Sequence, residues 1–245
     1  MNKPFRFIRA IYKILNPKTW GPFTEVAEVS GFDHAVSISW SQGCEDLALL
    51  LLLEKKAGRY LDIGAHHPSR FSVTRHLYQR GWNGVNVEAN SNLIPEFDKK
   101  RRNDINLWGV VGSKPSYELN IFEEPAISTI NIEWKERFVA ENQKITRVET
   151  VRGITLREII DTYFRVEKCN LLTIDTEGSD FEVIKTIHFE TLNQNQFPDW
   201  ILLETTPPVD LALKTESVCY AIENGYLPYL VLPMATLLKK VEILN

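Results

Sequence analysis

Tyr60-Leu61-Asp62-Ile63-Gly64-Ala65-His66 decides how this chain of 245 residues folds. It reads as a short apolar strand running into a turn of small residues. A helical stretch follows over 71–80, with Phe71, Thr74, Leu77 and Tyr78 at helical spacing. Gly84 to Glu88 is a second strand, 91–101 a second helical stretch and Ile105 to Val111 a third strand. A polar stretch then breaks the rhythm. It carries a strand at Tyr117–Phe122, a helix near 131–142 and a strand near 145–151. Thr155-Leu156-Arg157-Glu158 is a capping box that opens the next helix. Asn170 to Asp175 is a fourth core strand, and Ser179-Asp180-Phe181-Glu182 reads as another capping box. Trp200 to Glu204 is a fifth strand, followed by a helix near 210–224 and strands near 226–232 and 236–243. Strands alternating with helices imply right-handed crossovers and a mostly parallel, doubly wound α/β sheet. The last two strands are separated by a few residues around Pro233, too few for a parallel crossover, so they are expected to form an antiparallel edge hairpin.

Composition bounds the function. Hydrophobic residues make up 44% and charged residues 24%, which fits a folded globular chain and excludes a mainly disordered one. The net charge of −4 argues against a generic nucleic-acid binder, and no nucleic-acid partner is expected. Cys44, Cys169 and Cys219 are far apart and odd in number. They suit a reducing compartment rather than a disulfide framework or a zinc site. The apolar run from Leu47 to Leu53 is too short to span a bilayer, and Arg6, Arg9 and Lys13 interrupt any secretory signal. A cytoplasmic location is the expectation. Residues 1–20 hold five basic residues and no acid, with Phe5, Ile8, Ile11, Tyr12 and Leu15 on one helical face. This basic amphipathic helix either packs on the domain with its charges solvated or docks on the anionic inner face of the membrane. The expected organisation is an N-terminal extension over 1–40 and one domain over 41–245, with a substrate-facing insert over 113–150. No feature sets an oligomeric state.

In sheets of this kind ligands bind at the carboxyl ends of the strands, near the switch in strand order. Four strands end there in acids: Asp62-Ile63-Gly64-Ala65-His66, Glu88-Ala89-Asn90, Asp175-Thr176-Glu177-Gly178 and Glu204-Thr205-Thr206. Four acidic ends on one rim make a polar cleft that the core does not require. A carboxylate at Glu88 suits both hydroxyls of a ribose, a geometry shared by dinucleotide-binding and S-adenosylmethionine-binding domains. The first turn separates the two. A dinucleotide site needs G-x-G-x-x-G so that a helix N-terminus can hold a pyrophosphate. Here the turn is Gly64-Ala65-His66-His67-Pro68-Ser69, without the second and third glycines, and Pro68 lacks a backbone donor. A ligand with ribose, adenine and an amino-acid tail is better served, with Asp62 and the Gly64–His66 backbone holding its ammonium and carboxylate ends. Ser41, Gln42, Glu45 and Asp46 either border the cofactor or cap the Leu-rich helix after them, and their spacing favours the cap.

Several ordered motifs together carry a resemblance. Ser41-Gln42-Gly43-Cys44-Glu45-Asp46, the first strand and turn, Gly81-Trp82-Asn83-Gly84-Val85-Asn86-Val87-Glu88-Ala89-Asn90, Arg102 to Leu107 with Gly109-Val110, and Leu172-Thr173-Ile174-Asp175-Thr176-Glu177-Gly178-Ser179-Asp180 follow one another as in the FkbM-type methyltransferase family. The chain resembles that family over roughly 40–205. Two departures are Val73 in Ser72-Val73-Thr74, where the family often has Ser-Asn-Thr, and Thr176, where Val often precedes the Glu-Gly pair. The resemblance implies a class I, Rossmann-like seven-stranded methyltransferase fold. It implies an S-adenosyl-L-methionine cofactor and O-methylation of a sugar hydroxyl on a glycan, glycolipid or natural product. Asp62, Gly64, Ala65, His66, Ser72, Glu88, Ala89, Asn90, Trp108, Gly109 and Asp175 are then the cofactor candidates, with Trp108 placed to stack on adenine.

Methyl transfer is an in-line displacement that needs nucleophile, methyl and sulfur held in line. A sugar hydroxyl is a poor nucleophile, so a base must take its proton. Asp175 is the first candidate, with Glu177 and His66 as alternatives. Asp175 and Glu204, joined by Glu177, also form a candidate oxygen-ligand site for Mg²⁺. Carboxylates so spaced equally serve as helix caps. Ser128 is a candidate substrate contact. Two other functions compete: a nicotinamide-dependent oxidoreductase, and an adapter that binds the cofactor without turnover.

Overall fold

The computed structural model of the chain describes residues 27–28, 35–36, 38–53, 57–205 and 208–241. The chain divides into two compact units, residues 1–39 and 40–245. In the first, Ala27–Glu28 and Ala35–Val36 form a short antiparallel pair. The basic helix expected over 1–20 lies outside the described residues, as do positions 242–243 of the last expected strand. Among the described residues no helix is long and apolar enough to cross a membrane.

The second unit contains helix α1 (Glu45–Leu53) and strand β1 (Arg59–Ile63), then α2 (Arg75–Gln79), β2 (Asn83–Glu88), α3 (Ile94–Lys100) and β3 (Ile105–Trp108). After a two-residue strand β4 (Val110–Val111) come β5 (Ser116–Phe122), α4 (Ile132–Ala140) and β6 (Ile145–Ile154). The remainder is α5 (Leu156–Tyr163), β7 (Leu171–Ile174), α6 (Asp180–Lys185), β8 (Trp200–Glu204), α7 (Val209–Ala212), α8 (Glu216–Glu223), β9 (Tyr226–Val231) and β10 (Ala235–Lys240). Seven strands form one sheet in the order β9-β10-β8-β7-β1-β2-β3. β8, β7, β1, β2 and β3 are parallel, while β10 runs antiparallel to β8 and to the edge strand β9. This is the doubly wound sheet with a terminal antiparallel hairpin that the alternation of elements implies.

The pleat sorts β1 to opposite faces. Leu61 and Ile63 join Val85, Val87, Leu172 and Ile174 under Ile159 and Ile160 of α5 and Val183 and Ile184 of α6. Tyr60 joins Leu171, Leu202 and Leu237 under Leu49 of α1 and Leu77 of α2. Each fully buried Leu or Ile contributes about 1.5–3 kcal/mol. Both faces are covered, which explains why β8 reads as an unbroken apolar run from Trp200 to Leu203. Chain order reverses between β1 and β7, so the crevice above that pair is where such sheets take ligands.

Several elements differ from the sequence reading. The third strand does not continue to Val111: at Gly109 the chain leaves the main sheet, and Val110–Val111 pairs with β6 in a second sheet ordered β4-β6-β5. The helix over 71–80 shrinks to Arg75–Gln79, because Phe71 takes a left-handed backbone (φ 58°). The helix near 210–224 splits in two around an extended Thr215. Thr155 and Glu158 form the expected capping box at α5, whereas Ser179 makes no side-chain cap at α6. There the Asp180 carboxylate turns back to accept the Thr176 N–H (3.1 Å).

Candidate active site

The turn after β1 is built around Gly64. Its φ is +74°, and a Cβ there would lie 1.7 Å from the carbonyl oxygen of Asp175. Only glycine lets the two strand ends come this close. His66, Phe71 and Glu177 are non-glycine residues that also adopt left-handed backbone (φ 51°, 58° and 52°). Left-handed backbone costs such residues about 1–2 kcal/mol each, and all three line the same crevice. Strain of this kind concentrates where a fold positions groups for use.

Two adjoining cavities open above the switch point, of about 140 and 310 Å³. They share Gln42, Gly64, Phe71, Ile127, Asp175 and Glu177. The first runs over Ile63, Val87, Glu88, Ala89 and Gly109–Val111 to the insert at Pro125–Ser128. The second lies on the α1 side, between Ser41, Glu45, Asp62 and Ala65 and the side chains of Trp134, Arg137, Phe138, Glu204 and Met234. The insert is stapled over the site. Thr129 Oγ1 donates to the Glu177 carbonyl (2.9 Å), and Asn131 Nδ2 donates to the Gly178 carbonyl (2.7 Å). Asn131 also caps α4, accepting from the Glu133 and Trp134 amides. At the first cavity, Arg70 forms a two-pronged pair with Glu124 (2.7 Å to each oxygen), joining the β1 turn to the insert.

Glu88 sits at the end of β2 and is buried. Its carboxylate accepts the His66 N–H (2.8 Å) and the Asn90 N–H (2.7 Å), which fixes its orientation in the first cavity. Burial raises its pKa to about 7, against the lowering effect of those amides. Asp62 lines the second cavity, where the sequence reading expects it, and is also tied into the fold. Its oxygens accept hydrogen bonds from Thr74 Oγ1 (2.7 Å) and Thr173 Oγ1 (2.6 Å), so it ties the turn to β7.

Asp175 and Glu204 stand at the ends of the neighbouring strands β7 and β8 and line the same cavity, where their carboxyl groups interact. Asp175 is exposed and Glu204 half-buried; desolvation in the cleft, and for Glu204 also the charge of Asp175, raise both carboxyl groups above the ordinary carboxylate range. Glu177 is raised to about 8 by burial and then by the charges of Asp175 and Asp180. Among the described residues no group of three or more His, Cys, Asp or Glu side chains is arranged to hold a metal ion. The expectation of Mg²⁺ at Asp175 and Glu204 is therefore not supported by this donor set. The His66 ring is held neutral, its pKa lowered to about 4 by burial and then by Arg70, whose Nη1 lies 3.2 Å from Nε2.

Three expected cofactor contacts stand outside both cavities. Ser72 is buried and accepts from Arg101 Nη2 (2.8 Å). Asn90 is buried, its Oδ1 accepting the Asn92 N–H (3.2 Å). Trp108 is half exposed, with its indole N–H on the Ala89 carbonyl (2.9 Å). Ser41 acts as the cap its spacing favoured, exchanging hydrogen bonds with Asp46. Ser128 does line the first cavity. The sequence reading missed the aromatic lining of Phe71, Trp134 and Phe138. Trp134 and Phe138 are four apart on α4, a spacing that could have marked them as one face.

The model of the methyltransferase FkbM domain matches residues 62–208, more than half of the chain. The chain belongs to the FkbM methyltransferase family. It is an S-adenosylmethionine-dependent methyltransferase, and the nicotinamide and turnover-free alternatives give way to that assignment. No curated protein matches it. Among solved structures, this FkbM methyltransferase is similar to a precorrin-6y C5,15-methyltransferase from Geobacter metallireducens, at 14% identity and TM-score 0.45 over 85% of this chain and 95% of that one. It is also similar to a TehB-like methyltransferase from Corynebacterium glutamicum, at 8% identity and TM-score 0.40 over 80% and 88% of the two chains.

Proposed function

We propose that this FkbM methyltransferase methylates a hydroxyl of a carbohydrate acceptor: a glycan, a glycolipid or a glycosylated natural product. One observation supports the acceptor class above others. The second cavity sets the rings of Phe71, Trp134 and Phe138 beside the carboxyl groups of Asp175, Glu177 and Glu204. Aromatic faces suit the C–H face of a sugar ring, and carboxyl groups suit its hydroxyls.

When bound, S-adenosylmethionine supplies an electrophilic methyl group on a sulfonium. Glu88, held open by two backbone amides, would take the ribose diol. Ala89, Gly109 and Val110 would flank the adenine, and the Gly64 turn would leave room for the tail. Asp175 stands where the two cavities join, and we assign it the acceptor proton. Glu204 stands beside Asp175 on the wall of the second cavity. Glu177 adds negative charge beside the reacting centre.

The test is incubation with methyl-labelled donor and a panel of glycans and glycolipids, read by mass spectrometry. Asp175→Asn keeps the cofactor Kd within about threefold and lowers transfer by about 10²–10⁴, the usual worth of a general base. Transfer near the wild-type rate would remove Asp175 from this role.

A further inference from the structure

The second cavity is lined by a carboxylate with one oxygen that the fold does not use. Glu45, the first residue of α1, is 3% exposed and lines this cavity. Its Oε2 accepts the Gly43 N–H (3.0 Å). Its Oε1 is buried and accepts no hydrogen bond from the described residues. An acceptor oxygen buried without a donor costs about 1–3 kcal/mol, so a fold keeps one where a ligand meets it. The surroundings preserve the gap. A Cβ at Gly43 would lie 2.1 Å from Glu45 Oε1, so glycine keeps that oxygen clear.

The charge around it defines the ligand. Glu45 shares the cavity wall with Asp62, Asp175 and Glu204, and its charge acts on Asp175 together with that of Asp62. The neighbouring Asp62, which the sequence reading matched to the ammonium end of the cofactor, is already engaged by two threonine hydroxyls. Such a site asks for a cation that donates hydrogen bonds. We propose that Glu45 receives the α-ammonium group of the bound donor, as a binding residue for the amino-acid tail. This rests on the S-adenosylmethionine reading above and, of the two roles the sequence leaves open for Glu45, takes the cofactor contact over the helix cap.

The test compares S-adenosylhomocysteine with its des-amino analogue by titration calorimetry, on wild type and Glu45→Gln. Wild type is expected to bind the amino form at least tenfold more tightly, and Glu45→Gln to reduce that preference below threefold. Gly43→Ala, which keeps every charge but pushes the carboxylate aside, is expected to do the same and serves where Glu45→Gln folds poorly. An undiminished preference in the variants, or no preference in wild type, overturns the assignment. If wild type binds neither ligand, the cofactor reading itself fails and takes this inference with it.

Discussion

At the residue scale the site is a crowd of acids: Glu88 is buried, Glu177, Asp180 and Glu204 are half-buried, and Asp175 is exposed in the cleft. Desolvation raises Glu88 to about 7 and Glu177 to about 8, and it also raises Asp175, Asp180 and Glu204. Near neutral pH the free protein therefore holds protons that exposed carboxyls would have lost. A sulfonium favours the ionised forms and lowers these pKa values, so its binding releases protons. S-Adenosylhomocysteine lacks that charge. At pH 7, S-adenosylmethionine is expected to release more protons than S-adenosylhomocysteine, as measured by calorimetry in buffers of different ionisation enthalpy. Its affinity relative to S-adenosylhomocysteine is expected to rise as pH passes through about 7 to 8. Equal release, or proton uptake, would contradict this. The positions of Asp62, Glu88, Asp175 and Glu204 were legible from the sequence because each ends a strand. Their partners were not. Thr74 and Thr173 reach Asp62 from positions 12 and 111 residues away, and only the register of β1 against β7 brings Thr173 opposite it.

At the element scale, the loop between the β1 turn and α2 is held from below by a side chain that no motif marked. Arg101 is 1% exposed. It donates to the Pro68 carbonyl (3.1 Å), the Tyr60 hydroxyl (3.0 Å) and Ser72 Oγ (2.8 Å), with Asp104 at 3.7 Å. The Tyr60 hydroxyl donates to Asp104, which also accepts from Asn86 and the Gly84 amide. Removing one member strands the others: Arg101→Ala is expected to cost about 3–5 kcal/mol of stability, because it leaves Asp104 buried without its cation. Denaturant unfolding measures this, and a loss under 1 kcal/mol would show the network to be dispensable. The motif Arg102-Asn103-Asp104 stood in the sequence, but the arginine that enters the core is the one before it. Helix boundaries were the weakest part of the reading for a related reason. The 71–80 helix has the right spacing, yet its first turn is drawn into this network and to the left-handed Phe71. The Thr155 box was legible because both its partners lie within one turn.

At the scale of the whole molecule, strand order was written in the alternation of elements and in the short link at Pro233. The enclosing of the site was not. The insert between β5 and β6 supplies Ile127, Trp134 and Phe138 to the cavities, and hydrogen bonds from Thr129 and Asn131 to the Glu177–Gly178 turn hold it there. Long-range packing of a polar segment leaves no periodic trace in sequence. The central claim is that one crevice, from Glu88 across Gly64 to Glu45 and Asp175, holds the donor. A crystal structure of the chain with S-adenosylhomocysteine tests this most directly. The ribose diol is expected on the Glu88 carboxylate and the sulfur at the junction beside Asp175. A nucleoside bound elsewhere, with Glu88 touching only the His66 and Asn90 amides, would contradict it.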